Sequence, residues 1–448
     1  MKFHRILIAN RGEIAVRVLR TAARLGIETV LAASEADLDS VPARMADKVV
    51  CIGPPAAARS YLNVGAVIAA AEAAKVDAIH PGYGFLSENA ALAQACADAG
   101  IVFIGATPDQ LRAAGDKWRA RERAVAAGLP VVPGGFVGSE DIIKLVQSIG
   151  CPILVKAVGG GGGRGMKLIE RPGQTRATIE LAVAEADAAF GDARVYLEKF
   201  IERGRHVEVQ LLGDGARVVH LGTRDCSVQR RYQKLVEEAP APALPEALRM
   251  RLHAAAVKYG AALAYSGLGT VEFLADVEAD AFYFLEMNAR IQVEHPVTEA
   301  IAGYDLVAEQ IAVAEGRALR LVQDDVTFEG AAIEFRINAE NPVEDFRPSP
   351  GTVTKAVFPA GTGIRVDTHI ESGSRVPPFY DSLLAKIVVH GRDRVEALAR
   401  SHAAVENCTI EGVATNLALH RALLHDPEFV AGGVDTAWLP RFLARTML

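Results

Sequence analysis

Cysteine is scarce and unpaired in this sequence. Its five residues (Cys51, Cys96, Cys151, Cys226, Cys408) are widely spread, with no C-x-x-C pair. That pattern excludes a disulfide framework and a thiolate zinc site, and it fits reduced thiols in a cytoplasm. Long apolar stretches are missing too; no run approaches the roughly 18 residues that would span a bilayer. Nor does one sign of charge dominate, since 55 acidic and 48 basic residues are interleaved and leave a net charge of −7. Nucleic acid and anionic membrane are therefore not expected as main partners. The opening MKFHRILIAN lacks the features of a signal peptide and reads as a short strand. After that strand the turn is ANRGE instead of G-x-G-x-x-G, so a dinucleotide pyrophosphate could not approach the backbone closely.

What the chain does have is glycine concentrated in one place. Cys151 to Gly165 read CPILVKAVGGGGGRG, an aliphatic run carrying Lys156, then Gly159 to Gly163, Arg164 and Gly165. Glycine has no Cβ, weakens helices and strands, and tolerates positive φ, so a run of it does not serve packing. Linkers are rich in Gly and Ser and do not emerge from a strand. The string reads as a flap whose backbone N–H groups close around phosphate, with a lysine ahead of it and an arginine inside it. It lacks the G-x-x-x-x-G-K-[ST] spacing of a P-loop, and no Ser or Thr is placed to hold Mg²⁺. Any metal must be held elsewhere.

The 448 residues, 50% hydrophobic and 23% charged, show ordinary globular usage with room for about two to four domains. Strands at 5–10, 29–33, 48–52, 78–80 and 102–104 alternate with helices at 12–25, 66–74 and 89–99, which predicts an open α/β sheet. Within it, HPGYGFLSEN follows a strand end, where such sheets place ligands. His80 and Glu88 flank that loop, and Ser87 is placed to cap the next helix. Helices at 108–115 and 117–127 lead to a Pro/Gly boundary near residue 130. A small α+β lid follows, with helices at 140–149 and 174–190 and strands at 153–157 and 166–169 around the flap. From Val195 the chain is strand-rich apart from a helix at 246–264, and HVEVQLL alternates like a half-buried strand. Helices at 304–315, 394–407 and 415–424 complete the reading, with strands between the first two.

Two acids stand in neighbouring strand-like segments, Glu272 in GTVEFLAD and Glu286 in FYFLEMNAR, with Asn288 two residues on. Residues i and i+2 of a strand share a face, and a hairpin would bring Glu272 across from them. Oxygen donors of this kind, with phosphate oxygens, are what Mg²⁺ takes beside a nucleotide. In RIQVEHP, alternation would put Arg290, Gln292 and Glu294 on one face, able to grip a small oxyanion and remove a proton from it. Arg336 is alone in the apolar strand EFRINAE, a guanidinium suited to developing negative charge. CSVQRRYQK offers Arg230, Arg231 and Lys234 as either a phosphate-facing cluster or a solvated basic edge.

Taken together, ANRGEIA, HPGYGFLSEN, KAVGGGGGRGM, RHVEVQ, RDCSVQRR, VEEAP, EMNARIQVEHPVTE and RINAE resemble biotin carboxylases of the ATP-grasp superfamily, in order and spacing, over almost the whole chain. The resemblance implies an ATP-grasp fold, α/β and α+β in class: an N-terminal open parallel-sheet domain (1–114), a mobile lid (115–203) and a C-terminal catalytic domain (204–448). It implies that Lys117, Lys156, Gly162 and Gly163 contact ATP, that Glu198, Lys199 and Ile201 meet adenine, and that His206 lies near the nucleotide. Glu272, Glu286 and Asn288 would hold one or two Mg²⁺ (or Mn²⁺). Bicarbonate would be bound by Lys234, Arg290, Gln292 and the Val293 backbone, with Glu294 as general base and Arg336 stabilising the enolate form of biotin. The implied reaction converts bicarbonate and ATP to carboxyphosphate, whose breakdown carboxylates the biotin ureido nitrogen.

Some positions depart from the family pattern. Tyr232 replaces a usual histidine at a nucleotide contact, Val158 a smaller residue before the flap, and Phe335 and Phe379 are further substitutions. The sequence shows no carrier segment with biotinyl lysine between methionines; Met166-Lys167-Leu168 reads as lid strand. Biotin is therefore expected on a biotin carboxyl carrier protein in trans, alongside carboxyltransferase subunits, with a homodimer implied by the resemblance. Two rivals are another ATP-grasp ligase activating a carboxylate and a non-catalytic nucleotide sensor. Arg290–Glu294 and Arg336 oppose the first, and retention of Glu272, Glu286, Asn288 and Glu294 opposes the second.

Overall fold

Short aliphatic runs separated by amphipathic stretches fold, at the N-terminus, into strands sandwiched between helices. The computed structural model describes residues 2–138, 142–159 and 165–446. Among these, parallel strands stand in the order Lys48–Cys51, Glu28–Ala33, Arg5–Ile8, Ala78–His80, Val102–Phe103. The central strand is apolar after Arg5 because both faces are covered. Ile6 and Ile8 pack with Ile14, Val18 and Leu19 of helix Gly12–Leu25. Leu7 packs on the opposite side with Val67 of Val64–Ala74 and Leu92 of Ala90–Asp98. The last of these helices is capped by Asn89, whose side chain accepts from the Leu92 N–H at 2.8 Å. Ser87, expected as the cap, sits two residues too early; its own N–H is spent on the Gly84 carbonyl.

A small antiparallel sheet follows in the order Gly134–Phe136, Val195–Lys199, Ile153–Ala157, Met166–Ile169, backed by helices Ile142–Ile149 and Thr175–Phe190. Gly162, Gly163 and Arg164 of the expected flap, and Glu140 at the start of the expected helix, lie outside the described residues.

The third unit is an antiparallel sheet of eight described strands. Their order is Ala281–Asn288, Ser266–Asp276, Arg205–Asp214, Val218–Arg230, Gln233–Ala239, Ala331–Asn338, Leu383–Gly391, Ile364–Thr368. HVEVQLL was expected to be half-buried, yet Arg205–Asp214 is buried throughout to Gly213. Val207, Val209 and Leu211 pack with Leu248, Leu252 and Ala256 of helix Glu246–Ala262. On the other face, buried Arg224 seals the polar residues in place of water. It donates to Glu208 Oε1 at 2.5 Å, Gln210 Oε1 at 2.7 Å and Thr270 Oγ1 at 3.0 Å. Alternation thus reported which face is polar, not which is wet. Strand Gln233–Ala239 was not anticipated, nor were helices His295–Ala302, Pro427–Ala431 and Trp438–Thr446.

Candidate active site

The hairpin of Ser266–Asp276 and Ala281–Asn288 sets Glu272 opposite Glu286 and Thr270 opposite Asn288. The anticipated meeting of Glu272, Glu286 and Asn288 is therefore built by backbone register. All three line a cavity of about 590 Å³ between the three units. Lys117, Lys156, Glu198, Lys199, Ile201, His206 and Tyr232 line it towards the small sheet, and Lys234, Arg290, Gln292, Val293, Glu294 and Arg336 complete it.

Towards the small sheet, cations and acids are already paired. Lys156 Nζ lies 2.6 Å from Glu198, which also meets Arg121 at 3.0 Å. Lys117 Nζ lies 2.6 Å from Glu286; burial opposes its charge, but Glu286, with Glu272 and Glu198, more than offsets burial and raises its pKa. Lys199 Nζ donates to the Gly150 and Cys151 carbonyls at 3.0 and 3.2 Å. His206 Nε2 sits 3.0 Å from Glu272 Oε2, and against burial that carboxylate raises the ring above its ordinary pKa. Tyr232 occupies the turn before Gln233–Ala239 with φ +66° and is nearly half exposed. The two carboxylates across the hairpin, with the Asn288 amide, form a hard oxygen set that fits Mg²⁺ better than a soft metal. Asn288 Nδ2 is buried with no hydrogen-bond partner among the described residues.

At the other end Glu294 is the focus. It is buried, with Lys234 Nζ at 2.7 Å and Arg336 Nη2 at 2.9 Å. Burial alone would raise its pKa, but Lys234, Arg336 and Arg224 prevail and hold it well below the usual carboxylate range. Lys234 also meets Glu208 at 2.6 Å and Glu272 at 2.9 Å, and against burial Cys226 together with Glu208, Glu272 and Glu294 drives its pKa well up. Arg336, expected to stand alone, is shared between Glu294 and Glu237, the latter at 2.5 Å. Burial pushes Glu237 up to about 7 despite that guanidinium.

Arg290, Gln292 and Glu294 do converge, but not by strand alternation. Ala281–Asn288 ends first, and 289–294 is a turn leading into helix His295–Ala302, with Pro296 in its first turn. Arg290 is fixed from three sides, donating to Asn288 Oδ1 at 2.8 Å, Gln292 Oε1 at 2.6 Å and Glu88 Oε2 at 3.0 Å. Glu88 thus joins the site through Arg290. His80 is fully buried instead; its Nδ1 accepts from the Gly82 N–H at 3.0 Å, and burial pushes its pKa down to about 3. Of the basic trio, only Lys234 turns into the acid cluster, whereas Arg230 and Arg231 pair with Asp345 at the surface. Sequence reasoning passed over Glu208, Arg224, Glu237, Glu13 and Lys386. Lys386, a lone cation in LLAKIVV, carried the same signal that singled out Arg336.

Comparison with known proteins covers nearly the whole chain. Residues 2–111 match the family described as biotin carboxylase, N-terminal domain. Residues 116–322 match the carbamoyl-phosphate synthase L chain, ATP binding domain, and 334–441 the biotin carboxylase C-terminal domain. A Nostoc protein named biotin carboxylase is 51% identical over 443 residues, covering 98% of this chain and 99% of its own. A crystal structure described as a biotin carboxylase-beta-gamma-ATP complex from Campylobacter jejuni superposes with TM-score 0.95 at 44% identity, covering 98% and 99% of the two chains. The biotin carboxylase domain dimer of Hydrogenobacter thermophilus 2-oxoglutarate carboxylase, in complex with MgADP, ADP and bicarbonate, gives TM-score 0.95 at 41% identity, covering 100% and 99%.

Proposed function

The chain belongs to the biotin carboxylase family and is an ATP-dependent ligase that carboxylates biotin; on that premise we propose which of its own residues do the work. Lys117, Lys156, Gly162 and Gly163 bind the ATP phosphates, Glu198, Lys199 and Ile201 meet adenine, and His206 and Tyr232 stand at the nucleotide's edge. Glu272, Glu286 and Asn288 hold Mg²⁺ or Mn²⁺, which neutralises phosphate charge when bound. Lys234, Arg290, Gln292 and the Val293 N–H bind bicarbonate. Glu294 takes the bicarbonate O–H proton as a bicarbonate oxygen attacks the γ-phosphorus and the bond from that phosphorus to ADP breaks, giving carboxyphosphate. Loss of phosphate yields CO₂; the departing phosphate takes the ureido N–H proton, and the nitrogen attacks the CO₂ carbon, one C=O π bond opening to give the carboxylate. Arg336 faces the charge developing on the biotin oxygen.

Glu294, gripped by two cations, is a weak base until an anion arrives. Bicarbonate competes for Lys234, and as that cation turns to the new charge the proton affinity of Glu294 rises. What supports this reading most is the placing of Glu294 between Lys234 at 2.7 Å and Arg336 at 2.9 Å. The test is Glu294→Gln, assayed by bicarbonate-dependent phosphate release with free biotin. A loss of about 10²–10⁴-fold is expected with ATP affinity retained; full carboxylation by the variant would overturn the assignment.

The carboxyl acceptor arrives on a biotin carboxyl carrier protein. Carboxyltransferase subunits then pass the carboxyl group to an acyl-CoA such as acetyl-CoA, for fatty acid synthesis in the cytoplasm. Among the described residues no helix is long and apolar enough to cross a membrane. The working form is a homodimer, for which light scattering should give twice the chain mass of 47.6 kDa.

A further inference from the structure

Behind the turn that presents Gln292, Val293 and Glu294 lies a second layer of buried polar groups that the chemistry above does not use. Two successive carbonyls of the turn are each tied off by a fully buried side chain. His295 Nδ1 lies 2.7 Å from the Gln292 carbonyl oxygen, and Lys386 Nζ lies 2.8 Å from that of Val293. A carbonyl can only accept, so His295 Nδ1 carries the proton and Nε2 is bare. Nε2 is indeed buried with no partner among the described residues. Burial, reinforced by Lys386, Arg17 and Arg365, holds the ring well below its ordinary pKa, so this one neutral tautomer persists. Lys386 in turn sits 3.0 Å from Glu13 Oε2 and 4.0 Å from Asp367, and Glu13 also accepts from the Tyr83 hydroxyl.

A peptide unit is planar, so holding its carbonyl aims its N–H. The plane fixed by His295 carries the Val293 N–H. The plane fixed by Lys386 carries the Glu294 N–H and sets the direction in which the Glu294 side chain leaves the backbone. Glu13 stands in helix Gly12–Leu25 of the N-terminal domain, so the anchor of this turn lies in a different unit from the strand that bears Lys386. We propose that His295 and Lys386, the latter held by Glu13, are positioning residues that aim the Val293 N–H and the Glu294 carboxylate at bicarbonate. The inference rests on the assignment of this turn as the bicarbonate site.

Four variants test it: His295→Leu, His295→Asn, the pair Glu13→Gln with Lys386→Met, and Gln292→Ala. The pair is changed together because removing one partner leaves a buried charge uncompensated. Asparagine keeps an N–H near the position of Nδ1. The readouts are KM for bicarbonate, KM for ATP, kcat and the melting temperature. A misaimed turn predicts that kcat/KM for bicarbonate falls about tenfold or more in His295→Leu and in the double variant. KM for ATP should stay within about twofold, and His295→Asn should recover most of the loss. If Gln292→Ala raises KM for bicarbonate while folded His295→Leu and the double variant behave as wild type, the positioning role falls and the bicarbonate site stands. If Gln292→Ala leaves that KM unchanged, the site assignment falls and the positioning role with it. ATP and bicarbonate parameters declining together, in step with the melting temperature and without rescue by asparagine, would show a packing role and overturn the proposal.

Discussion

The single residue on which most of the site's charge depends is Lys234. Three buried carboxylates, Glu208, Glu272 and Glu294, reach its ammonium within 2.9 Å, and breaking such a buried pair costs about 3–5 kcal/mol. Lys234→Met should therefore lower stability in urea unfolding by that order as well as abolish turnover. Glu272 and Glu294 are both held well below the usual carboxylate range, since cations including Lys234 outweigh their burial. A depressed carboxyl stabilises the fold above its unfolded pKa, about 4.3, and this stabilisation is lost as pH falls through the folded value. Wild type should accordingly keep its circular dichroism to below pH 4, with the acid transition of Lys234→Met displaced upward; coincident transitions would contradict the cluster's ionised state. At this scale a charge interrupting an apolar strand was the legible signal, read at Glu272, Glu286 and Arg336 and passed over at Lys386. It was not legible which acids would share a cation, because Glu208 and Glu237 come from strands that meet Lys234 and Arg336 only through the sheet.

Elements place these residues by register and by caps. Asn89 caps Ala90–Asp98 one residue after Glu88, which holds Arg290 from the facing unit. Asn89→Ala should cost about 1 kcal/mol of stability. Glu88→Gln should instead raise KM for bicarbonate with little thermal change, because it loosens Arg290 without touching a core; an unchanged KM would remove Glu88 from the site. The hairpin carrying Glu272 and Glu286 could be read from alternation alone, since its strands are adjacent in sequence. RIQVEHP was misread for an identifiable reason: its alternating residues match a strand, but His295-Pro296 is a helix start, and proline in a first helical turn is the stronger signal. QKLVEEA was missed as a strand because its charges break any apolar alternation, with Lys234 left open between a phosphate-facing cluster and a solvated edge; in the fold Lys234, Glu237 and Glu238 are neutralised by Glu294, Arg336 and Arg394.

For the whole molecule, the candidate site is a cavity lined by side chains of all three units. The parallel sheet brings Glu88 and Glu13, the small sheet brings Lys156 and Glu198, and the large sheet supplies the remaining acids and cations. The alternation of elements foretold the first unit closely. The order of the large sheet was beyond local pattern, because Gln233–Ala239 pairs with Ala331–Asn338 across a long stretch of chain. The central claim is that this cavity phosphorylates bicarbonate. Carboxylation of biotin with ¹⁸O-labelled bicarbonate and unlabelled ATP tests it most directly, read by mass analysis of the released phosphate. Attack of bicarbonate on the γ-phosphorus predicts three unlabelled oxygens from ATP and one labelled oxygen in each phosphate; phosphate with no labelled oxygen, its fourth oxygen coming from water, would contradict it.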